Sequence, residues 1–149
     1  MRLKLAAALS IAAAIAALPA AAQDKPAQPM RSHSGLLTGV KKLDPITLSS
    51  GKPLAAKPYE LEAGKYYRLA ITSDGTAELA LSGPDFFRNV WINEIVINDI
   101  EIRPLGVESL EFDDEGTAEI SFVTIRPGTF TLRIPNTTGE SQQAVFNVK

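Results

Sequence analysis

The sequence predicts an all-β domain, a Greek-key β-sandwich or barrel of about eight strands with one short helix near residues 84–91. Three observations carry this prediction. From about Leu43 onward apolar and polar residues alternate in short runs, the pattern of strands with one buried face. Gly, Pro, Asn, Asp and Ser interrupt those runs at short intervals, as they do between the strands of sandwiches and barrels. The chain has 149 residues, 45% of them hydrophobic and none of them cysteine, so one domain can bury a core without disulfides.

Ile46-Thr47-Leu48 reads as a short strand stopped by Ser49-Ser50-Gly51. Tyr59 and Leu61 point one way, Glu60 and Glu62 the other, and Ala63-Gly64-Lys65 turns the chain. Tyr67, Leu69 and Ile71 then share a face opposite Arg68 and Thr72, and Ser73-Asp74-Gly75 leads into Leu79 and Leu81. Phe86, Phe87, Val90 and Trp91 fall at i, i+1, i+4 and i+5, one face of a helical turn, with Pro84 suited to its first position. Glu94–Ile97 and Ile100–Ile102 are strand-like, and Asn98-Asp99 between them suits a tight hairpin. Leu110 and Phe112 alternate with Glu111 and Asp113, and Asp114-Glu115-Gly116 turns into Ala118, Ile120 and Phe122. Pro127-Gly128 has the residues of a type II turn, because Pro fixes φ at its first central position and Gly accepts positive φ at the second. Phe130, Leu132 and Ile134, then Ala144, Phe146 and Val148, form the last two strand faces. The run Asp74-Gly-Thr-Ala-Glu-Leu79 returns as Glu115-Gly-Thr-Ala-Glu-Ile120, read here as two hairpin turns with the same chemistry, since one recurrence is no solenoid.

The amino terminus predicts export. Met1-Arg2-Leu3-Lys4 is basic, Leu5–Leu18 is an apolar run of 14 residues, and Pro19-Ala20-Ala21-Ala22 offers small residues for cleavage after Ala22. The run is shorter than the roughly 20 residues of a membrane span, and without cysteine there is no lipoprotein anchor. The expected protein is therefore periplasmic, with a signal peptide at 1–22, a flexible polar leader at 23–42 and the sandwich domain at 43–149. Loss of Arg2 and Lys4 leaves 13 basic against 17 acidic side chains, a net charge of −4. A sequence pI near 5.4 argues against a nucleic-acid binder, which needs a basic patch to displace counterions. Asn136-Thr137-Thr138 matches the glycosylation pattern, a chance match in a bacterial protein.

Two stretches resemble the cupredoxins, the blue-copper fold. Tyr59–Thr72 is similar to their early strands, an extended run, a Gly turn and a strand ending in a polar loop. Leu110–Ile134 is similar to their later part: Glu111-Phe112, an acidic Gly turn, Ala118-Glu-Ile-Ser-Phe122, then Arg126-Pro-Gly-Thr-Phe-Thr-Leu132. The resemblance covers roughly 43–149, with residues 86–105 resembling an insertion. It implies a copper Cys at Ile134, a first His near Glu78 and an axial Met near Gln142, and none of these ligands is present. Two His and a Cys thiolate hold blue copper, so the resemblance implies the fold without its metal site or electron transfer.

The remaining chemistry is sparse. His33, the single histidine, lies in the leader, where a solvated side chain is the ordinary case, and a Ser-His-Asp arrangement would have to use it. The acidic turn Glu111–Gly116 is the best candidate for a hard cation, with Asn98, Asp99 and Glu101 as further oxygen donors, set against a plain solvated turn. No motif marks a catalytic residue, a metal ligand set or a cofactor, so no enzyme is expected. Arg103, Arg126 and Arg133 are candidates to pair with the acidic turns. Phe86, Arg88 and Trp91 are the candidate contacts for a periplasmic protein partner. Against this stands a structural role in which the rings cap one end of the sandwich, with Phe87 and Val90 inside and Arg88 and Trp91 outside; the burial habits of aromatics favour the cap. The expected function is a secreted binding or accessory module. The alternative is a copper-handling protein using carboxylates, His33 or a new amino terminus at Gln23.

Overall fold

The computed structural model describes residues 37 and 39–149. The expected signal peptide, most of the leader, Gln23, His33 and both methionines lie outside the described residues. Eleven strands occur among the described residues: β1 (Lys41–Lys42), β2 (Ile46–Leu48), β3 (Tyr59–Leu61), β4 (Tyr66–Ser73), β5 (Leu79–Ser82), β6 (Val90–Ile97), β7 (Ile100–Ile102), β8 (Ser109–Phe112), β9 (Gly116–Thr124), β10 (Gly128–Arg133) and β11 (Gln143–Val148). One α-helix, α1 (Pro84–Arg88), joins β5 to β6, and a 3-10 turn at Glu140–Gln142 precedes β11. The first sheet runs β7-β6-β9-β4, with β1 and β2 both parallel to β4 at different registers. The second runs β3-β11-β10-β5-β8. The two remain separate, so the architecture is a sandwich and not a barrel. The count exceeds eight in part because Lys41–Lys42 is a strand only by virtue of its pairing with β4.

Alternation places the core where the sequence predicts it. Tyr67, Leu69 and Ile71 of β4 and Ala118, Ile120 and Phe122 of β9 are buried. From the second sheet Leu81, Leu132, Ala144, Phe146 and Val148 meet them. Tyr59 stacks on Phe146 with ring centroids 4.7 Å apart, consistent with the parallel pairing of β3 and β11. Asn98 and Asp99 both take positive φ (47° and 64°), the two-residue hairpin turn the sequence predicts. Gly64 takes φ 77° in the Ala63-Gly64-Lys65 turn. Gly128 also has positive φ, but at 152° it is more extended than the type II value of about 80° and already belongs to β10.

Two expectations change. The helix ends at Arg88, so Val90 and Trp91 belong to β6. A helix of five residues gains little by extension, whereas Val90 and Trp91 pair with Thr124 and Val123 of β9. Asn89 closes the helix, its backbone N–H donating to the Phe86 carbonyl at 3.0 Å and its Nδ2 to the Asp85 carbonyl at 2.7 Å. The echoed Gly-Thr-Ala-Glu segments are not hairpins. The first lies in the link from β4 to β5 and the second opens β9 just after the link from β8, so each stands where the chain crosses between sheets, and the two crossings are neighbours: a Cβ on Gly75 would sit 3.0 Å from Asp114 Oδ1. No helix among the described residues is long and apolar enough to cross a membrane.

Candidate binding surface

The three candidate partner contacts do not share a surface. Phe86 is 1% exposed, with its ring 4.4 Å from Phe146, 5.4 Å from Phe122 and 5.5 Å from Phe87. It plugs the sandwich as part of the core, and so does Phe87. Arg88 is exposed and borders a shallow hollow with Pro84, Gly106, Val107 and Glu108. Trp91 is 48% exposed on the outer face of the first sheet.

That outer face has its own organisation. A bulge between Ile92 and Glu94 turns both Asn93 and Glu94 outward. Asn93 Nδ2 donates to the Tyr66 hydroxyl at 3.1 Å. Arg103 reaches back over the sheet to Glu94 and Glu101, each at 3.1 Å. Arg103 thus pairs with strand neighbours, not with the acidic turns. Arg133 instead donates to the carbonyls of Thr137 and Gly139, each at 3.2 Å, and to the Gln143 side chain. On the other face of the β6–β7 hairpin, the side that carries Ile95 and Ile97, Ile100 (64%) and Ile102 (43%) are exposed, and Leu105 in the following loop is fully exposed. These apolar residues were not singled out in the sequence. Their signal was present, since Ile-Glu-Ile follows a tight turn, but only the pairing shows that the second sheet leaves that strand uncovered.

The opposite candidate is acidic. Glu78, Glu111 and Asp113 each place a carboxylate oxygen within 4.8 Å of the others. β5 and β8 bring them together, because Leu79 pairs with Phe112. Glu111 and Asp113 come from the turn the sequence marks; Glu78 stands where the resemblance puts the first copper His. Asn98 borders the same turn across a cleft of about 230 Å³, with Ile97, Leu110 and Phe112 in its walls. Glu101 is committed to Arg103. All three carboxylates are exposed, and three oxygens fall short of the six to eight that calcium takes.

Nearby, Asp74 is held at about 2, well below an ordinary carboxylate. The Ser49 hydroxyl is the largest influence, followed by the Thr76 hydroxyl, its backbone N–H and the Lys52 ammonium. Ser49 is buried and makes no hydrogen bond of normal geometry, so the contacts that carry the effect are those of Thr76 at 2.6 and 3.1 Å. A further groove of about 490 Å³ is lined by Pro45, Pro53, Leu54, Ala55 and Tyr59. Tyr59 donates to the Asp44 carbonyl at 3.0 Å, and burial with the Asp44 charge pushes it up to about 12. It stays neutral, and the bordering Lys52 and Lys57 are already paired with Asp74 and Asp44, so this groove offers no reactive group.

A blue-copper ion does not fit. Ile134 donates its N–H to the Gln142 carbonyl at 3.1 Å, so two of the positions the resemblance assigns to ligands are neighbours. Their side chains carry neither sulfur nor imidazole, and no cysteine exists in the chain.

No protein-family model matches the sequence, and no curated protein matches it. Solved structures do. A multi-copper oxidase from Pseudomonas thermotolerans is 14% identical, with a TM-score of 0.52 over 74% of this chain and 30% of its own. A copper nitrite reductase from Nitrosomonas europaea is 13% identical, with a TM-score of 0.50 over 64% of this chain and 33% of its own. The chain thus spans about a third of the length of these neighbours. At such identity the likeness is one of fold: the domain is a cupredoxin-like sandwich without the cysteine of a blue-copper site.

Proposed function

We propose that the chain is a secreted, periplasmic accessory module that binds another protein and catalyses no reaction, with its signal peptide removed after Ala22. One observation carries this reading. Of the seven large hydrophobic side chains exposed among the described residues, four (Trp91, Ile100, Ile102 and Leu105) lie in one stretch of β6, β7 and the loop after it. Three of them, Ile100, Ile102 and Leu105, are gathered on β7 and the loop after it, while Trp91 stands on the opposite face of the sheet, and exposed apolar side chains gathered beside charge mark interaction surfaces more than they mark enzymes. Phe86 drops out of the contact set, and Ile100, Ile102 and Leu105 enter it. A photo-crosslinker placed at Leu105 in the exported protein is expected to trap a discrete partner, while the same group at Thr129 traps none. The same products from both positions, or none from Leu105, would overturn the reading.

The second reading, copper handling through non-standard ligands, draws on Glu78, Glu111 and Asp113. Carboxylates suit hard cations such as calcium better than copper. Elemental analysis of protein exported in copper-supplemented medium separates the two: copper near zero supports the binding module, and copper near one per chain supports copper handling.

A further inference from the structure

β7 is the free edge of the first sheet. It pairs with β6 on one side, and among the described residues nothing pairs with the other. In an antiparallel ladder, opposed residues alternate between exchanging both hydrogen bonds and exchanging none. The two-residue turn makes Ile97–Ile100 a bonded pair, so Val96–Glu101 is unbonded and Ile95–Ile102 is bonded again. The Glu101 N–H and C=O therefore point away from β6, out of the sheet edge. Ile100 and Ile102 stand on the same side of the sheet as their opposed partners Ile97 and Ile95. Ile95 is in the core and Ile97 half-buried, yet Ile100 and Ile102 are exposed, so the apolar face continues past the cover the second sheet provides.

Edge strands are commonly guarded by lysine, proline, a bulge or an inward-pointing charge. Ile100-Glu101-Ile102 is short, itself a guard, but has none of these others on its apolar side. Its border is also strongly one-signed. Residues 98–115 contain seven carboxylates and one cation, Arg103, which is already paired with Glu94 and Glu101, and Arg88 is the cation that borders Glu108. The acidic turn and the cleft beside Ile97 lie on this border. A second copy docking edge to edge would bring two acidic borders together, which like-charge repulsion opposes. A basic strand answers both the edge and the charge.

Resting on the binding-module reading, we propose that β7 takes up an extended, basic segment of the partner protein as an added strand. Main-chain hydrogen bonds form at Glu101, apolar side chains of the segment pack beside Ile100 and Ile102, its alternate lysines or arginines stand on the opposite face beside Glu101, and its net positive charge answers the acidic border.

The test uses peptides of about nine residues, the length of a long strand, titrated calorimetrically into the protein produced from its full sequence. A peptide alternating valine and lysine is expected to bind. Counterparts alternating valine with glutamate, or serine with lysine, are expected to bind about tenfold more weakly or worse. Raising salt from about 20 to about 300 mM is expected to weaken the valine–lysine peptide severalfold. Glu101→Pro removes the outward N–H without breaking the bonds to β6 and should cost about tenfold or more. Glu101→Gln keeps that N–H, gives up the same pairing with Arg103, and should stay within about threefold. Equal binding to Glu101→Pro, equal binding of the valine–glutamate peptide, or no binding of any peptide overturns the proposal. So does a dimer of the chain alone that Glu101→Pro abolishes, which would give the edge to a second copy. A retained Leu105 cross-link with no peptide binding sinks this inference and leaves the broader reading standing; loss of both sinks both.

Discussion

Replacing Phe86 by alanine separates its two possible roles by the size of the effect. The ring is 1% exposed and sits among Phe87, Phe122 and Phe146 at centroid distances of 4.4–5.5 Å, near edge-on to Phe122 at 79° and to Phe87 at 74°. Truncation removes its burial and leaves a cavity that three other rings cannot easily collapse into, a loss of about 3–5 kcal/mol. Edge-to-face contacts of this kind add about 0.5–1.5 kcal/mol apiece beyond burial. With a urea slope of about 1.5 kcal/mol per M, a loss of about 4 kcal/mol moves the unfolding midpoint down by about 2.5 M. That is a large part of the about 5–15 kcal/mol a domain possesses, so Phe86→Leu is the companion variant, with an expected loss of about 1–2 kcal/mol. The assay is equilibrium urea unfolding followed by far-UV circular dichroism. A change within about 0.5 kcal/mol for Phe86→Ala is what a surface residue would give, and it would refute the placement of this ring in the core.

Other expectations follow from single contacts. A Cβ on Gly83 would collide with the Thr131 carbonyl and stand 2.6 Å from Leu132 Cδ2, so Gly83→Ala is expected to lose about 2–3 kcal/mol. Gly106→Ala, with open space around it, is the neutral control, and similar unfolding midpoints for the two variants would contradict the close approach of α1 to β10. Asp74, at about 2 when folded against about 3.9 unfolded, contributes stability that is full above about pH 4 and lost as pH falls towards 2. Asp74→Asn should therefore melt below the wild type at pH 7 and converge with it near pH 2; a constant difference across that window would show that Asp74 contributes nothing by its charge.

Much of the fold was legible because strands with one buried face write their period into the sequence. Tyr67, Leu69 and Ile71 could be placed inward from alternation alone, and the Asn98-Asp99 turn from its residue types. Helix and strand could not be told apart at Val90 and Trp91, where the apolar spacing fits a helical turn. Pairing with β9, a partner some thirty residues away, decided it. The binding surface was half legible. The aromatic segment that holds Phe86 and Trp91 is visible in the sequence, but nothing local distinguishes an aromatic ring that plugs a core from one that meets a partner, and the two are separated only where the sheets close.

What the sequence determined by itself is the class of the domain and the chemistry it lacks. Alternation and turn residues are local properties, and the absence of cysteine removes blue copper whatever the fold. Tertiary structure alone decided what is covered. Ile95 and Ile102 are the same residue type on the same face of one hairpin, yet one is core and the other exposed. Burial is set by how far the second sheet extends, which depends on contacts between residues remote in sequence. For the same reason Glu78 meets Glu111 and Asp113 only through the register of β5 against β8, a relation between two strands that neither segment encodes alone.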